Sequence, residues 1–284
     1  MTASQHMVQA NGLRFRTMVD GPAGGEMVIL LHGFPEGAES WSRQVDALAK
    51  AGALAVAPDM RGYGLSDAPG RVEDYRMNEL VEDVAGIIKA FGRTSAHVAG
   101  HDWGAAVAWY FASIHPDMTK TLTVLSVGHP AALADATAQD KDQQERSRYV
   151  ALFLSEGKAE SVLSEEDHRR LRAMLGSAIP STVVDHFVRS LSRPGRLTAG
   201  LNYYRANLAR NRTWTDLRRD VSVSAPTVLL WGDQDPALGR LQAEDTARHM
   251  TGEYRLEVLE GAGHWLQFER PDEVSRSLVD AVSK

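Results

Sequence analysis

The apolar positions of the chain fall into two alternating rhythms. Met27-Val28-Ile29-Leu30-Leu31 and Ala53-Leu54-Ala55-Val56-Ala57 are short unbroken apolar runs, as strands covered on both faces require. Ala96 to Ala99, Leu122 to Val127, Thr227 to Trp231 and Leu256 to Leu259 read as further strands. Helices are predicted over Trp41 to Ala51, the stripe Leu80, Val84, Ile87, Ile88 and Phe91, the small-residue segment Ala105 to His115, Leu241 to Met250, and Val274 to Val282. Near the start, Val8-Gln9-Ala10 and Leu13 to Val19 flank Asn11-Gly12, a dipeptide that favours a tight hairpin because both turn residues accept positive φ. Strand and helix in alternation predict a mostly parallel sheet with helices on both faces.

Between about residues 129 and 214 the strand rhythm stops. Leu197, Leu201, Tyr204 and Leu208 are spaced four, three and four, making one helix face, and Pro130 and Pro226 punctuate near the two ends of the stretch. The expected organisation is an α/β body formed by 1–128 and 215–284, with a helical insert at 129–214.

Composition narrows the partners. Lys and Arg number 31 against 37 Asp and Glu, a net charge of −6 without a basic block, which argues against nucleic acid and anionic membrane surfaces. With no cysteine there is no disulfide framework, thiolate nucleophile or Cys-based zinc site. No apolar run approaches about 18 residues, and Met1-Thr2-Ala3-Ser4-Gln5-His6 lacks a basic region followed by an apolar one, so the expected address is the cytoplasm.

The sharpest chemical signal is Gly100-His101-Asp102-Trp103-Gly104, which follows a predicted strand and opens a predicted helix. Small residues two before and two after Asp102 permit a sharp strand-to-helix turn that lifts the central side chain above the carboxyl edge of the sheet. An Asp in that position could equally cap the helix that follows. Two later segments weigh toward chemistry. Leu229-Leu230-Trp231-Gly232-Asp233-Gln234-Asp235 runs from a strand into an acidic turn, and Gly261-Ala262-Gly263-His264-Trp265 follows the last strand, giving the order nucleophile, acid, histidine. Asp233 competes with Asp235 as the acid, since turn aspartates often bond local amides. His32-Gly33-Phe34-Pro35-Glu36 follows another strand, where a second backbone donor for an oxyanion is needed, so the amides of Phe34 and Trp103 are the candidates. Gly64-Leu65-Ser66-Asp67-Ala68 also places a Ser between small residues, but no strand leads directly into it and no helix follows at once. His97 and His101, four apart on a strand, do not make a helical metal pair, and neither a His-Glu-x-x-His nor a phosphate-binding Gly-Lys sequence occurs.

Together these stretches, with Asp59-Met60-Arg61-Gly62-Tyr63-Gly64-Leu65-Ser66-Asp67, resemble the α/β-hydrolase superfamily and within it the epoxide hydrolases, in family order along the whole chain. The resemblance implies that the insert is a helical cap. Asn202-Tyr203-Tyr204-Arg205 and Arg148-Tyr149-Val150-Ala151-Leu152-Phe153 resemble the cap segments whose tyrosines contact the epoxide oxygen, giving the pair Tyr149 and Tyr204. Core packing would account for either tyrosine as well. The implied reaction has Asp102 attack a ring carbon to form an alkyl-enzyme ester while the tyrosines donate to the departing oxygen. His264, oriented by Asp235, then activates water against that ester. His32, Pro35, Glu36, His101 and Trp265 are the expected supporting or substrate-binding residues, with Glu36 positioning water or tuning His264 and His101 either orienting the turn or simply packed. No metal or organic cofactor is implied. The expected partners are a small apolar epoxide and water, with a homodimer left open. The nearest rival is a dehalogenase with the same nucleophile. Haloalkane enzymes usually carry Asn where this chain has Phe34, and fluoroacetate enzymes usually carry Arg where it has Trp103. A receptor that keeps the pocket without turnover is the rival of another class.

Overall fold

A computed structural model describes residues 3–208 and 221–283. Eight strands form one sheet: β1 Ser4–Ala10, β2 Leu13–Asp20, β3 Met27–Leu31, β4 Leu54–Pro58, β5 Ala96–His101, β6 Thr119–Leu125, β7 Thr227–Gly232 and β8 Tyr254–Leu259, in the spatial order β1-β2-β4-β3-β5-β6-β7-β8. β1 and β2 form an antiparallel hairpin, and β2 pairs antiparallel with β4. From β4 to β8 every pairing is parallel. Asn11 and Gly12 take φ values of 46° and 74°, the left-handed pair that a two-residue hairpin turn demands.

The apolar runs are unbroken because successive side chains of a strand enter opposite faces, and both faces are covered. Met27, Ile29 and Leu31 of β3 join the core beneath the helices α2 (Met77–Ala90) and α3 (Trp103–Ile114). Val28 and Leu30 join the core beneath α1 (Ser42–Lys50) and the closing helix Pro271–Val282. Several predicted boundaries shift. Trp41 ends a short 3-10 turn and α1 begins only at Ser42. β4 starts at Leu54, not Ala53, and β6 runs Thr119–Leu125, earlier than the apolar run suggested. The predicted helix Leu241 to Met250 divides into Arg240–Asp245 and a 3-10 turn Thr246–His249. A short helix, Leu266–Glu269, had no periodic signal.

Between β6 and β7 the described chain is helical: α4 Pro130–Gln139, α5 Lys141–Arg146, α6 Tyr149–Phe153, α7 Lys158–Leu175, α8 Ser181–Leu191 and α9 Arg196–Leu208. α7 breaks at Glu165–His168, three of whose residues have positive φ. The expected boundary at 214–215 lies outside the described residues. α9 is fastened to the body through the loop after β4. The Tyr203 hydroxyl donates to the Arg61 carbonyl at 2.8 Å, and Asn207 donates to the Tyr75 carbonyl at 2.9 Å. Arg61 is itself buried and bidentate on Asp83 of α2, at 2.7 and 2.6 Å. Among the described residues, no helix is long and apolar enough to cross a membrane.

Candidate active site

The parallel strands β3, β5, β7 and β8 deliver four loops to one edge of the sheet, and those loops carry Glu36, Asp102, Asp235 and His264. Asp102 connects β5 directly to α3 with φ 50° and ψ −120°, a backbone conformation that costs an L-residue of order 1–3 kcal/mol. The flanking glycines make that turn feasible. A Cβ on Gly100 would stand 2.3 Å from the Gly104 carbonyl oxygen, and one on Gly104 only 2.1 Å from the Leu31 oxygen. Gly33 is equally constrained, since its Cβ would lie 2.4 Å from that of Asp102. The Asp102 side chain makes no helix-capping hydrogen bond; only its carbonyl enters the helix, accepting from Ala106 N–H. One carboxylate oxygen, Oδ1, accepts the Phe34 N–H at 2.9 Å, and the other, Oδ2, stands 3.7 Å from His264 Nε2.

His264 Nδ1 lies 2.8 Å from Asp235 Oδ2, and Asp235 Oδ1 accepts the amides of Ala237 and Leu238. Asp235 therefore reaches the imidazole, while Asp233 turns back to accept the Gly261 N–H at 2.7 Å. Burial works against the charge of His264, yet Asp235 and Asp102 together push its pKa well above the ordinary histidine range. Burial also opposes ionisation of Asp102. His264, His101 and the Phe34 amide outweigh it and hold this carboxyl below the usual value.

Across from Asp102 stand Tyr149 and Tyr204, which line the same cavity of about 330 Å³. Tyr204 packs edge-on against Trp103, Phe34 and Phe153. Burial and then the Asp102 charge raise the pKa of Tyr149, and burial, Tyr149 and Asp102 do the same for Tyr204, so both are held as neutral O–H donors. The adjacent Tyr203 is spent on the Arg61 carbonyl.

The supporting residues divide into three groups. Glu36 is fully buried beneath Asp102. It accepts the Gly33 amide at 3.0 Å and Gln267 at 2.6 Å, and lies 3.1 Å from His101 Nδ1. Burial opposes its charge, but His101 and the Gly33 amide keep its pKa low. It touches His101 and not His264. His101 Nε2 donates to the His264 carbonyl at 2.9 Å, and Ser126 Oγ donates to the same oxygen at 2.9 Å. His32 accepts the Met60 amide and donates to the Gly33 carbonyl, which fixes the loop backbone, and the Phe34–Pro35 peptide is cis. Trp265 packs tilted against His101 and edge-on against His264 and donates to the Met174 carbonyl, joining a separate apolar cluster with α8. Neither the Phe34 ring nor Trp265 is among the residues that line this cavity. Sequence reasoning missed Ser126 and Gln267, both polar residues in segments without a motif. It also missed the wall supplied by α4 and α5. The rival turn at Ser66 is structural: its hydroxyl donates to the Asp59 carbonyl and accepts the Arg16 amide. Among the described residues, no group of three acids or histidines is placed to hold a metal ion.

A family model described as alpha/beta hydrolase fold matches residues 26–271. Epoxide hydrolase 3 of Xenopus tropicalis is 36% identical over 100% of this chain and 80% of its own length. Epoxide hydrolase A of Mycobacterium tuberculosis is 33% identical over 99% of this chain and 97% of its own. The chain belongs to the epoxide hydrolase family of the α/β-hydrolase fold. Within that family, the crystal structure of epoxide hydrolase A from Mycobacterium thermoresistibile superposes with a TM-score of 0.88 at 32% identity, covering 99% of this chain and 98% of the other.

Proposed function

We propose that this protein hydrolyses epoxides to vicinal diols through an ester on Asp102. The observation that carries this reading is a carboxylate free of helix-capping duty, facing two neutral tyrosine hydroxyls across one cavity, with a histidine-aspartate pair behind it. An ionised carboxylate attacks a saturated ring carbon from the side opposite the oxygen. The C–O bond breaks, and the electron pair passes to an alkoxide that needs a proton. Tyr149 and Tyr204 hydrogen-bond that oxygen and one of them supplies the proton. His264 then takes a proton from water, whose oxygen attacks the ester carbonyl of Asp102. The tetrahedral oxyanion falls to the amides of Phe34 and Trp103, the first of which already meets Asp102 Oδ1 at 2.9 Å. Collapse expels the diol oxygen, which takes the proton held by His264, and the remaining proton of the Asp102 carboxyl returns to the tyrosinate, so the diol leaves with carboxylate, imidazole and phenol restored.

In the same reading, α4–α9 act as a cap over the body, contributing the tyrosines that the body lacks. Glu36 and His101 are positioning residues, since they hold the Gly33 amide and the His264 carbonyl and do not face the cavity. The hydrocarbon ring of Phe34, packed on Phe153 and Tyr204, offers a departing halide no side-chain donor, which favours epoxides over haloalkanes. A His264→Gln variant mixed with styrene oxide is expected to gain the mass of the substrate on Asp102, because only the second step has lost its base. An unmodified Asp102 beside normal wild-type turnover would overturn the covalent route.

A further inference from the structure

We infer that Ser147 selects the substrate: the cavity takes epoxides whose apolar arm carries an uncharged acceptor oxygen, an ether or a carbonyl, and the Ser147 hydroxyl donates to it. The inference rests on the epoxide-hydrolase reading above and narrows it to a substrate class.

The wall of the cavity away from Asp102 is formed mainly by Leu133, Val150, Leu208 and Leu238, an apolar surface with Ser147, Gln143 and Thr137 set into it. Gln143 is buried, and its amide orientation is fixed by two backbone partners. Its Nε2 donates to the Ala237 carbonyl at 2.9 Å, and its Oε1 accepts the Gly239 N–H at 2.8 Å. Reversing the amide would set donor against donor and acceptor against acceptor. The second Nε2 hydrogen therefore goes to Ser147 Oγ, at 2.9 Å. Ser147 is thereby obliged to accept, and its own proton is left for another partner. Thr137 has no such proton to offer, because its hydroxyl donates to the Leu133 carbonyl at 2.8 Å. Tyr149 and Tyr204 are committed to the ring oxygen. Among the described residues of the wall, Ser147 is thus the one hydroxyl with a donor still to place on the arm of the substrate.

Its position suits that role. Ser147 ends α5, and Tyr149 begins α6 after a single helical residue, Arg148 at φ −58° and ψ −31°. Both residues line the same cavity of about 330 Å³, so one small substrate can meet the two hydroxyls at once. A hydrocarbon arm would cover the Ser147 proton without replacing the water it bonds. An ether or carbonyl arm would replace that water, and a single neutral hydrogen bond of this kind separates substrates by about tenfold.

The probes are phenyl glycidyl ether and its carbon analogue, in which CH2 replaces the ether oxygen. The readout is the ratio of their kcat/KM values, which cancels any general damage to the enzyme. Ser147→Ala is expected to lower the ether-to-carbon ratio about tenfold, and Ser147→Thr, which keeps the hydroxyl, to restore most of it. A ratio unmoved by Ser147→Ala, including an equal loss on both probes, would assign Ser147 to packing and overturn the inference while diol still forms. A low ratio in both variants would overturn it as well, by attributing the effect to shape. If neither probe nor styrene oxide gives a diol with the wild type, or an Asp102 adduct with His264→Gln, the functional reading fails and this inference falls with it.

Discussion

His264 stands between two carboxylates at unequal distances, with Nδ1 2.8 Å from Asp235 Oδ2 and Nε2 3.7 Å from Asp102 Oδ2. The short contact is a hydrogen bond that fixes the ring, whereas the long one lies beyond hydrogen-bond range. The imidazole is therefore oriented by Asp235 without being consumed by Asp102, and its outward nitrogen stays directed at the place where an ester carbonyl of Asp102 would meet water.

Removing one tyrosine hydroxyl separates the two chemical steps. Tyr204→Phe should slow alkylation of Asp102 by about 10²-fold, the usual cost of losing one donor to a developing oxyanion, and leave ester hydrolysis nearly intact. Single-turnover rapid quench of the two phases checks this. No slowing of either step would indicate that the residue matters only for the packing of its ring on Trp103 and Phe153, which Phe preserves.

The two steps should also respond oppositely to acid. Asp102 is held below the ordinary carboxylate range, so it remains a nucleophile as pH falls toward about 5. His264 is held above the ordinary histidine range by Asp235 and Asp102. Esterification neutralises Asp102 and removes one of those two anions. The His264 pKa then falls, which favours the neutral ring that can act as a base. Hydrolysis therefore slows once pH drops below this reduced value, while alkylation continues. Quenched steady-state samples should contain a growing share of alkylated protein by intact mass between about pH 8 and pH 5. A constant share would show that the two steps titrate together.

Stability has a separate test at the Arg61–Asp83 pair. Both side chains are nearly inaccessible to water, the guanidinium holds both oxygens, and Asn11 adds a 3.0 Å bond to Asp83. Asp83→Ala leaves a buried cation with only the half-exposed Glu79, 3.7 Å away, to offset it, and should cost about 3 kcal/mol in urea unfolding. A double replacement by Met and Leu should recover most of that loss, because the cost lies in the stranded charge. If the double variant is as unstable as the single one, the hydrogen bonds outweigh the desolvation.

What the sequence made legible follows physical necessity. The body could be read because strands covered on both faces must be continuously apolar, and the elbow because only Gly fits at positions 100 and 104, where backbone oxygens stand within 2.3 Å of any Cβ. Asp233 and Asp235 could not be separated, being the same residue type two positions apart in one turn. Only the placement of the Gly261 amide beside the first and the His264 ring beside the second distinguishes them. The wall from α4 and α5 was hidden for another reason. α5 is Lys-Asp-Gln-Gln-Glu-Arg, a charged hexapeptide that reads as a solvated face, yet it buries Gln143 at 1% exposure against the loop after β7. The break in Leu241 to Met250 escaped notice because an apolar stripe does not distinguish an α-helix from one that tightens into a 3-10 turn.

The carbonyl of His264 accepts from both His101 and Ser126, residues that precede it by 163 and 138 positions. The proposed base is thereby moored from beneath to the strand ends that flank Asp102, on struts that belong wholly to the body. The helices overhead hold none of these struts. α5 instead grips the loop that carries Asp235, where Arg146 donates to the Asp235 carbonyl and Gln143 to that of Ala237, so a change there that reshapes what the hollow admits also tugs at the residue that aims the imidazole.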